Sequence, residues 1–521
     1  MNFLMNISDA VATHARLTPN KIGARDSVRS ITFAAWHERA TQLANGLLGL
    51  GLTKGDRVAL LAYNRVEWME MYAGLARAGL VAVPLNFRLM MAEIDYILGH
   101  SGAVAMIVQD ELIERVEPLR AKLNLPNKVF IALGETANEG WTSYEQILAT
   151  APLNVPPVSV LTSDMSALMY TSGTTGRPKG AVRSHEGSSL IALATALEMG
   201  FKAQDSALLV MPMCHANSLY FSHTFTQLGA TCVIDDRKSF DPETLLATLS
   251  AEKITFTSLV PTHYIMMLGL PSEVKAKYDV SAVEKLMISS APARKDTKLA
   301  ILSFFKNGKL YELYGSTEAG WVTLLRPHEQ IDRLGSVGRE WAGSGAIKLL
   351  NSDGQEVQDG EVGELFSKTP YVFDGYWNDP EKTKEAFAGQ WCSVGDMALR
   401  DQDGFIHLVD RKSNMIISGG ENIYPSEVEG VLGAHEKVKD VAVLGVPHDK
   451  WGEAVHAFVV LHHEVEASEE ELIAWCKTRM AGYKRPQTIA FIQDEEMPRT
   501  ATGKILHRVL RQSILQAAQI S

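Results

Sequence analysis

Residues 170–180 read Tyr170-Thr171-Ser172-Gly173-Thr174-Thr175-Gly176-Arg177-Pro178-Lys179-Gly180, directly after the apolar run Ala167 to Met169. This is the order of a loop leaving a buried strand. Its glycines let backbone N–H groups converge on an anion, its hydroxyls add donors, and Arg177 and Lys179 add positive charge, so the segment suits a polyphosphate. A flexible surface loop is the ordinary reading of Ser/Thr/Gly-rich sequence. Such loops rarely also end in Arg-Pro-Lys-Gly. The spacing is not that of a Walker A loop, because Gly180 follows Lys179 where Ser or Thr would be required.

Outward from this loop, short apolar runs recur between amphipathic stretches from Val58 to about Leu350: Val58 to Leu61, Val104 to Val108, Val129 to Leu133, Leu208 to Met211, Ile254 to Val260 and Lys285 to Ile288. Strand-length runs alternating with helical patterns predict α/β layers. Leu245, Leu246 and Leu249 give Pro242 to Leu249 a helical spacing, hence a strand–helix–strand unit between Cys232 and Thr255. The order of strands cannot be read this way. Beyond Leu350, Asp353-Gly354, Asp359-Gly360 and Asp403-Gly404 punctuate short alternating runs and predict hairpins that close the large domain as a small β subdomain. A new pattern starts after Asp410, with strands at Val441 to Val446 and Ala457 to Leu461 and a helix over Glu469 to Met480. The expected division is therefore 1–410, a multi-layer α/β domain, and 411–521, a small α+β domain.

The chain has 521 residues, 46 % of them hydrophobic and 21 % charged, with a net charge of −11, which excludes disorder and favours a multidomain globular enzyme. An acidic balance without a basic block argues against nucleic-acid partners. Cys214, Cys232, Cys392 and Cys476 are scattered without metal-ligand spacing, so reduced thiols in a cytoplasm are expected. No stretch has the length of a membrane span, and no secretory leader is expected at the N-terminus.

The loop resembles the signature of the adenylate-forming superfamily, which includes acyl-CoA synthetases, luciferases and peptide-synthetase adenylation domains. Further motifs follow in that family's order: Tyr314-Gly315-Ser316-Thr317-Glu318, Gly395-Asp396, Asp410-Arg411, Gly419-Gly420-Glu421-Asn422-Ile423-Tyr424-Pro425, and Pro498-Arg499-Thr500-Ala501-Thr502-Gly503-Lys504. The resemblance runs from Gly55-Asp56-Arg57-Val58 to Lys504 and points to the acyl-CoA synthetase branch. It implies a carboxylate attacking the α-phosphorus of ATP to give an acyl-adenylate and pyrophosphate, after which the thiol of coenzyme A displaces AMP. It also implies Mg²⁺, because an anionic nucleophile approaches a polyanion.

By that resemblance Thr171, Ser172, Gly173, Thr174, Thr175, Gly176 and Lys179 bind ATP: Thr174 and Thr175 with neighbouring backbone amides hold the β- and γ-phosphates, Lys179 secures the loop or the phosphates, and Thr317 meets the α-phosphate. Glu318 is the Mg²⁺ ligand; taken alone it would read as a carboxylate at a helix N-terminus. Ser290, Ala291, Pro292, Glu312, Tyr314 and Gly315 belong to the nucleotide site, and Asp396 and Arg411 to the ribose. Lys504 is the adenylation lysine, placed by a proline-flanked loop rather than a regular helix. The resemblance makes the C-terminal domain mobile, with a hinge near 411–413 where Ser413 replaces the usual Asp or Lys. Gly419 and Gly420 then line the path of coenzyme A.

His215 matches a gate between acyl pocket and thiol tunnel, with a buried structural histidine as the rival reading. Cys214 beside it reads as a small core residue. Asn217, Tyr220, Ser289, Trp321 and Val322 occupy acyl-pocket positions. Ser289 and Trp321 narrow that pocket, which favours a short- or medium-chain acid, plain, polar-substituted or unsaturated, while Trp321 is equally suited to stack on an aromatic one. Free coenzyme A is the expected acceptor, with a separate carrier protein as alternative. A non-catalytic nucleotide-binding homologue would be expected to have lost Glu318 or Lys504, and both are present. A homodimer is a general prior only.

Overall fold

The computed structural model describes residues 5–120, 129–134, 139–171, 178–290, 293–419, 421–500 and 503–520. The chain forms two compact units, Met1–Ala346 with Ser367–Cys392, and Ile347–Phe366 with Ser393–Ser521.

In the first unit the predicted runs form strands. Arg57–Leu61 lies between Val81–Leu85 and Ala105–Gln109, all parallel, with Ala59 opposite both Val83 and Met106. Apolar runs without alternation are what a parallel sheet covered on both faces requires. Met165–Thr171 joins this sheet and turns back antiparallel into Lys179–Ser184, so the glycine-rich loop does leave a buried strand.

A second sheet carries Ser206–Leu209, Phe256–Leu259, Lys285–Ser289 and Lys309–Ser316 as parallel neighbours in that order, then Gly320–Leu325 antiparallel. The predicted strand–helix–strand unit is present: Pro242–Ala251 connects Thr231–Ile234 to Phe256–Leu259. Pro242 opens that helix, and the Asp241 carboxylate caps it by accepting from the Thr244 N–H at 2.7 Å.

In the second unit Val362–Lys368 pairs with Asp396–Arg400, and that strand with Ile406–Arg411, all antiparallel. The turn signals hold, since Gly354, Gly360 and Gly404 take φ of +75°, +90° and +83°. These hairpins, which the sequence attaches to the large domain, pack largely with the C-terminal segment. Further on, Val438–His448 and Gly452–Leu461 form a long antiparallel pair, with Thr488–Phe491 parallel to the second of them. The helix expected to reach Met480 spans Glu469–Lys477, with Thr478 as its C-cap and the Arg479 N–H bonded three residues back to the Cys476 carbonyl. Among the described residues no helix is long and apolar enough to cross a membrane.

Candidate active site

Ser258, Ser289 and the turn Thr317–Glu318 all lie at the C-terminal ends of adjacent parallel strands of the second sheet, where open α/β sheets bind ligands. The turn is tight. Gly320 has φ +72°, and a Cβ on Gly315 would stand 2.3 Å from the Gly320 carbonyl oxygen. Ser316 Oγ accepts the Ala319 N–H at 2.9 Å and closes the turn. Glu318 therefore sits between two antiparallel strands and not at a helix N-terminus.

Glu318 is buried, and its Oε1 accepts two hydroxyls, Thr171 Oγ1 at 3.1 Å and Tyr376 Oη at 3.0 Å. Lys179 Nζ lies 4.3 Å from the centre of the Tyr376 ring. Burial lowers the pKa of this ammonium, and the charge of Glu318 opposes that shift. A buried carboxylate with one oxygen fully engaged is a suitable single protein ligand for Mg²⁺, which keeps most of its shell for phosphate and water. Among the described residues no larger cluster of metal-ligating side chains occurs.

Two residues here escaped the sequence reading. Tyr376 lies in the turn-rich Gly375-Tyr376-Trp377-Asn378-Asp379-Pro380, where one tyrosine carries no signal of its own. Arg183 is only 1 % exposed in the strand Lys179–Ser184, and its guanidinium donates to the carbonyls of Tyr371 at 2.7 Å, Glu318 at 3.3 Å and Thr317 at 3.4 Å. An arginine following the small apolar pair Ala181-Val182 in the strand Lys179–Ser184 was the only local clue.

Of the expected nucleotide residues, Ser172, Gly173, Thr174, Thr175, Gly176, Ala291 and Pro292 lie outside the described residues. Ser290 borders them with φ +70°, a strained value for a residue with a side chain. Thr317 and Tyr314 are half-buried at the strand end, and Glu312 is buried in an ion pair with Lys298.

The residues expected at the acyl pocket separate into two groups. Asn217, at the start of the helix Ala216–Gln227, donates through Nδ2 to Ser258 Oγ at 2.9 Å and Ser289 Oγ at 3.0 Å. Tyr220, Trp321 and Val322 are core residues. Trp321 meets Tyr220 edge-on at 5.3 Å, packs on Phe221 and Trp341, and gives its indole N–H to Thr195. His215 precedes the same helix half-buried, and desolvation lowers its pKa, leaving a neutral ring near pH 7. Burial pushes the Cys214 thiol up to about 12, which suits a core residue and not a nucleophile.

In the second unit Asp396 and Arg411 are register partners, with Arg411 Nε donating to Asp396 Oδ1 at 3.1 Å. Ser413 lies in the short turn Lys412–Asn414, where the Asp410 carboxylate accepts from Asn414 Nδ2 and from the Ser426 N–H. Gly419 has φ +60° and donates to the Trp451 carbonyl at 2.9 Å, while Gly420 lies outside the described residues. Lys504 precedes the helix His507–Ile520, its N–H donating to Thr500 Oγ1 at 3.1 Å. The residue is exposed, yet the protein around its ammonium and then the charge of Arg411 lower its pKa.

Models of two families match, the AMP-binding enzyme over residues 11–377 and the AMP-binding enzyme C-terminal domain over residues 427–504. The chain belongs to the AMP-binding enzyme family. Similar proteins include a feruloyl-CoA synthase of Amycolatopsis sp, 36 % identical over 500 residues that cover 95 % of this chain and 96 % of that one. A long-chain-fatty-acid–CoA ligase of Mycobacterium tuberculosis is 34 % identical over 485 residues, 92 % of this chain and 93 % of the relative. Among solved structures, an anthranilate CoA ligase in complex with anthranoyl-AMP superposes with a TM-score of 0.90 at 28 % identity, covering 100 % of this chain and 99 % of its own. This AMP-binding enzyme is thus an AMP-forming acid–CoA ligase with ATP, a carboxylate and coenzyme A as substrates.

Proposed function

We propose that this ligase activates an aromatic acid, the rival that the sequence kept beside short- and medium-chain ones, and that this acid carries a polar substituent. The observation that carries this reading is the buried Asn217–Ser258–Ser289 cluster. A carboxamide and two hydroxyls held at a strand-end ligand position favour a substrate with its own hydrogen-bonding substituent. The likeness to a feruloyl-CoA synthase and to an anthranilate CoA ligase supports the aromatic class.

In the adenylation half-reaction a substrate carboxylate oxygen attacks the α-phosphorus and pyrophosphate leaves. Bound Mg²⁺, held by Glu318, would neutralise charge on the phosphate oxygens. The Thr317 hydroxyl and the Lys504 ammonium meet the charge that develops at the α-phosphate, and Lys179 serves the departing phosphates. Asp396 and Arg411 orient the ribose. In the second half-reaction the thiol attacks the acyl carbon, AMP leaves, and His215 borders the approach. We assign 411–521 as the moving part, hinged near Ser413, with Gly419 and Gly420 along the path of coenzyme A. The same proposal places the enzyme in the cytoplasm, which four buried free cysteines support, and makes it a homodimer, testable by sedimentation.

The test is carboxylate-dependent ATP–pyrophosphate exchange with Mg²⁺ on pooled hydroxylated or amino-substituted aromatic, unsubstituted aromatic, short aliphatic and long-chain acids. Exchange strongest with the first pool is expected. Preference for an aliphatic pool overturns the aromatic assignment.

A further inference from the structure

We infer that Tyr376 is a positioning residue that aims Glu318 and Lys179 together at the metal-bound nucleotide. The inference rests on the roles proposed above for those two residues. Tyr376 touches both with different parts of one side chain: its hydroxyl donates to Glu318 Oε1 at 3.0 Å, and its ring face lies 4.3 Å from Lys179 Nζ.

The geometry on Glu318 is specific. Thr171 and Tyr376 both donate to the same oxygen, which fixes the plane of the carboxylate. Both hydroxyls use Oε1, which leaves Oε2 as the oxygen to present to a hard cation. Thr171 and Lys179 are themselves direct partners across the antiparallel pair at the base of the glycine-rich loop. Tyr376 thus reads both ends of the loop, sharing an acceptor with the hydroxyl at one end and holding the ammonium at the other.

Tyr376 is in turn held from several directions. It is buried, lies opposite Ala181 in the short strand Gly375–Tyr376, and gives its N–H to Thr383 Oγ1 at 2.8 Å. Phe373 meets its ring edge-on at 4.9 Å. Gly375 adopts φ +132°, and a Cβ there would stand 2.8 Å from Thr383 Cγ2, so the approach demands glycine. A side chain fixed in this way transmits its placement to the groups it touches.

The experiment compares Tyr376→Phe, Tyr376→Leu and Thr171→Val with wild type in the full chain. Binding of Mn²⁺ in the presence of a non-hydrolysable ATP analogue is followed by electron paramagnetic resonance, beside Mg²⁺ activation of pyrophosphate exchange. Tyr376→Phe is expected to weaken Mn²⁺ binding about tenfold and leave the KM for the acid unchanged. Thr171→Val moves the same way, and the double variant loses less than the product of the two single losses. Tyr376→Leu further weakens nucleotide binding measured without metal, because the ring under Lys179 is gone. Wild-type metal affinity in Tyr376→Phe overturns the inference, as does a fall in kcat and melting temperature with metal affinity unmoved. Wild-type protein that binds the Mn²⁺ nucleotide and exchanges with no acid overturns the proposed substrate reading, and the Tyr376 comparison is then decided by binding alone.

Discussion

Replacing Lys298 with methionine tests its buried ion pair with Glu312 of the strand Lys309–Ser316. Lys298 and Glu312 have side-chain exposures of 1 % and 6 %, and Glu312 also accepts the backbone N–H of Ala293, next to the segment Ala291-Pro292. Methionine fills much of the lysine volume, so the perturbation is the loss of charge. Removing one partner of a buried pair leaves the other desolvated and uncompensated, which destabilises by about 3–5 kcal/mol. For a unit of this size a loss of that order lowers the melting temperature by about 5 °C.

Burial already raises Glu312 above its ordinary value of 4.5, and without the lysine it rises further. A carboxyl raised in the folded state keeps a proton that the unfolded chain has released. Stability therefore falls as pH rises from about 4.5 through the raised value, and Lys298→Met is hurt more at pH 8 than at pH 5. Calorimetry at both pH values reads this directly, with the KM for ATP rising in parallel. The double variant Lys298→Met/Glu312→Leu recovers most of the loss, because no buried charge remains. A loss below about 1 kcal/mol at pH 8, or no recovery in the double variant, refutes the reasoning.

Four further outcomes are expected. Asn217→Leu shifts selectivity in pyrophosphate exchange from substituted toward unsubstituted aromatic acids by roughly tenfold, since a hydrogen bond is exchanged for apolar surface. Lys504→Ala abolishes exchange and leaves ATP binding by calorimetry intact; in wild type the alkaline limb of exchange falls below the ordinary lysine value of 10.5, because the protein around the ammonium and then the charge of Arg411 lower this pKa. Arg183→Met loosens the turn at Thr317–Glu318 and lowers kcat for exchange at least tenfold, with the KM for the acid less affected. At His507 burial works to lower the pKa, and the hydrogen bond and charge of Glu429 outweigh it, so the pKa is raised above 6.5. The stability of that pair is full below pH 6.5 and is lost as pH rises through the raised value; hydrogen-exchange protection of Pro425–Leu432 should decline there in wild type and not in His507→Ala.

Local patterns were legible because they report on near neighbours. Apolar runs such as Val129 to Leu133 read as strands buried on both faces from their length and their alternation with amphipathic stretches, and Pro242 with Asp241 marks a helix start through its own backbone chemistry. Glycine at 354, 360 and 404 marks turns through φ alone. The motifs from Tyr170 to Lys504 were likewise readable, since each is contiguous and their order along the chain identifies the family.

What the sequence by itself determined is thus the class of local structure, the family and the nature of the reaction. Tertiary structure alone decided which distant residues share an atom. Tyr376 stands 58 positions from Glu318, and Asn217 stands 41 from Ser258 and 72 from Ser289. No periodicity or motif couples such separations. Strand order brings them together, and strand order follows from long-range pairing between segments whose apolar patterns are nearly interchangeable. The same limit explains Trp321, expected from its position beside Glu318 to line an acyl pocket, which the neighbouring Tyr220, Phe221, Trp341 and Thr195 hold in the core. Its environment is set by four segments at once, and a linear pattern records only one.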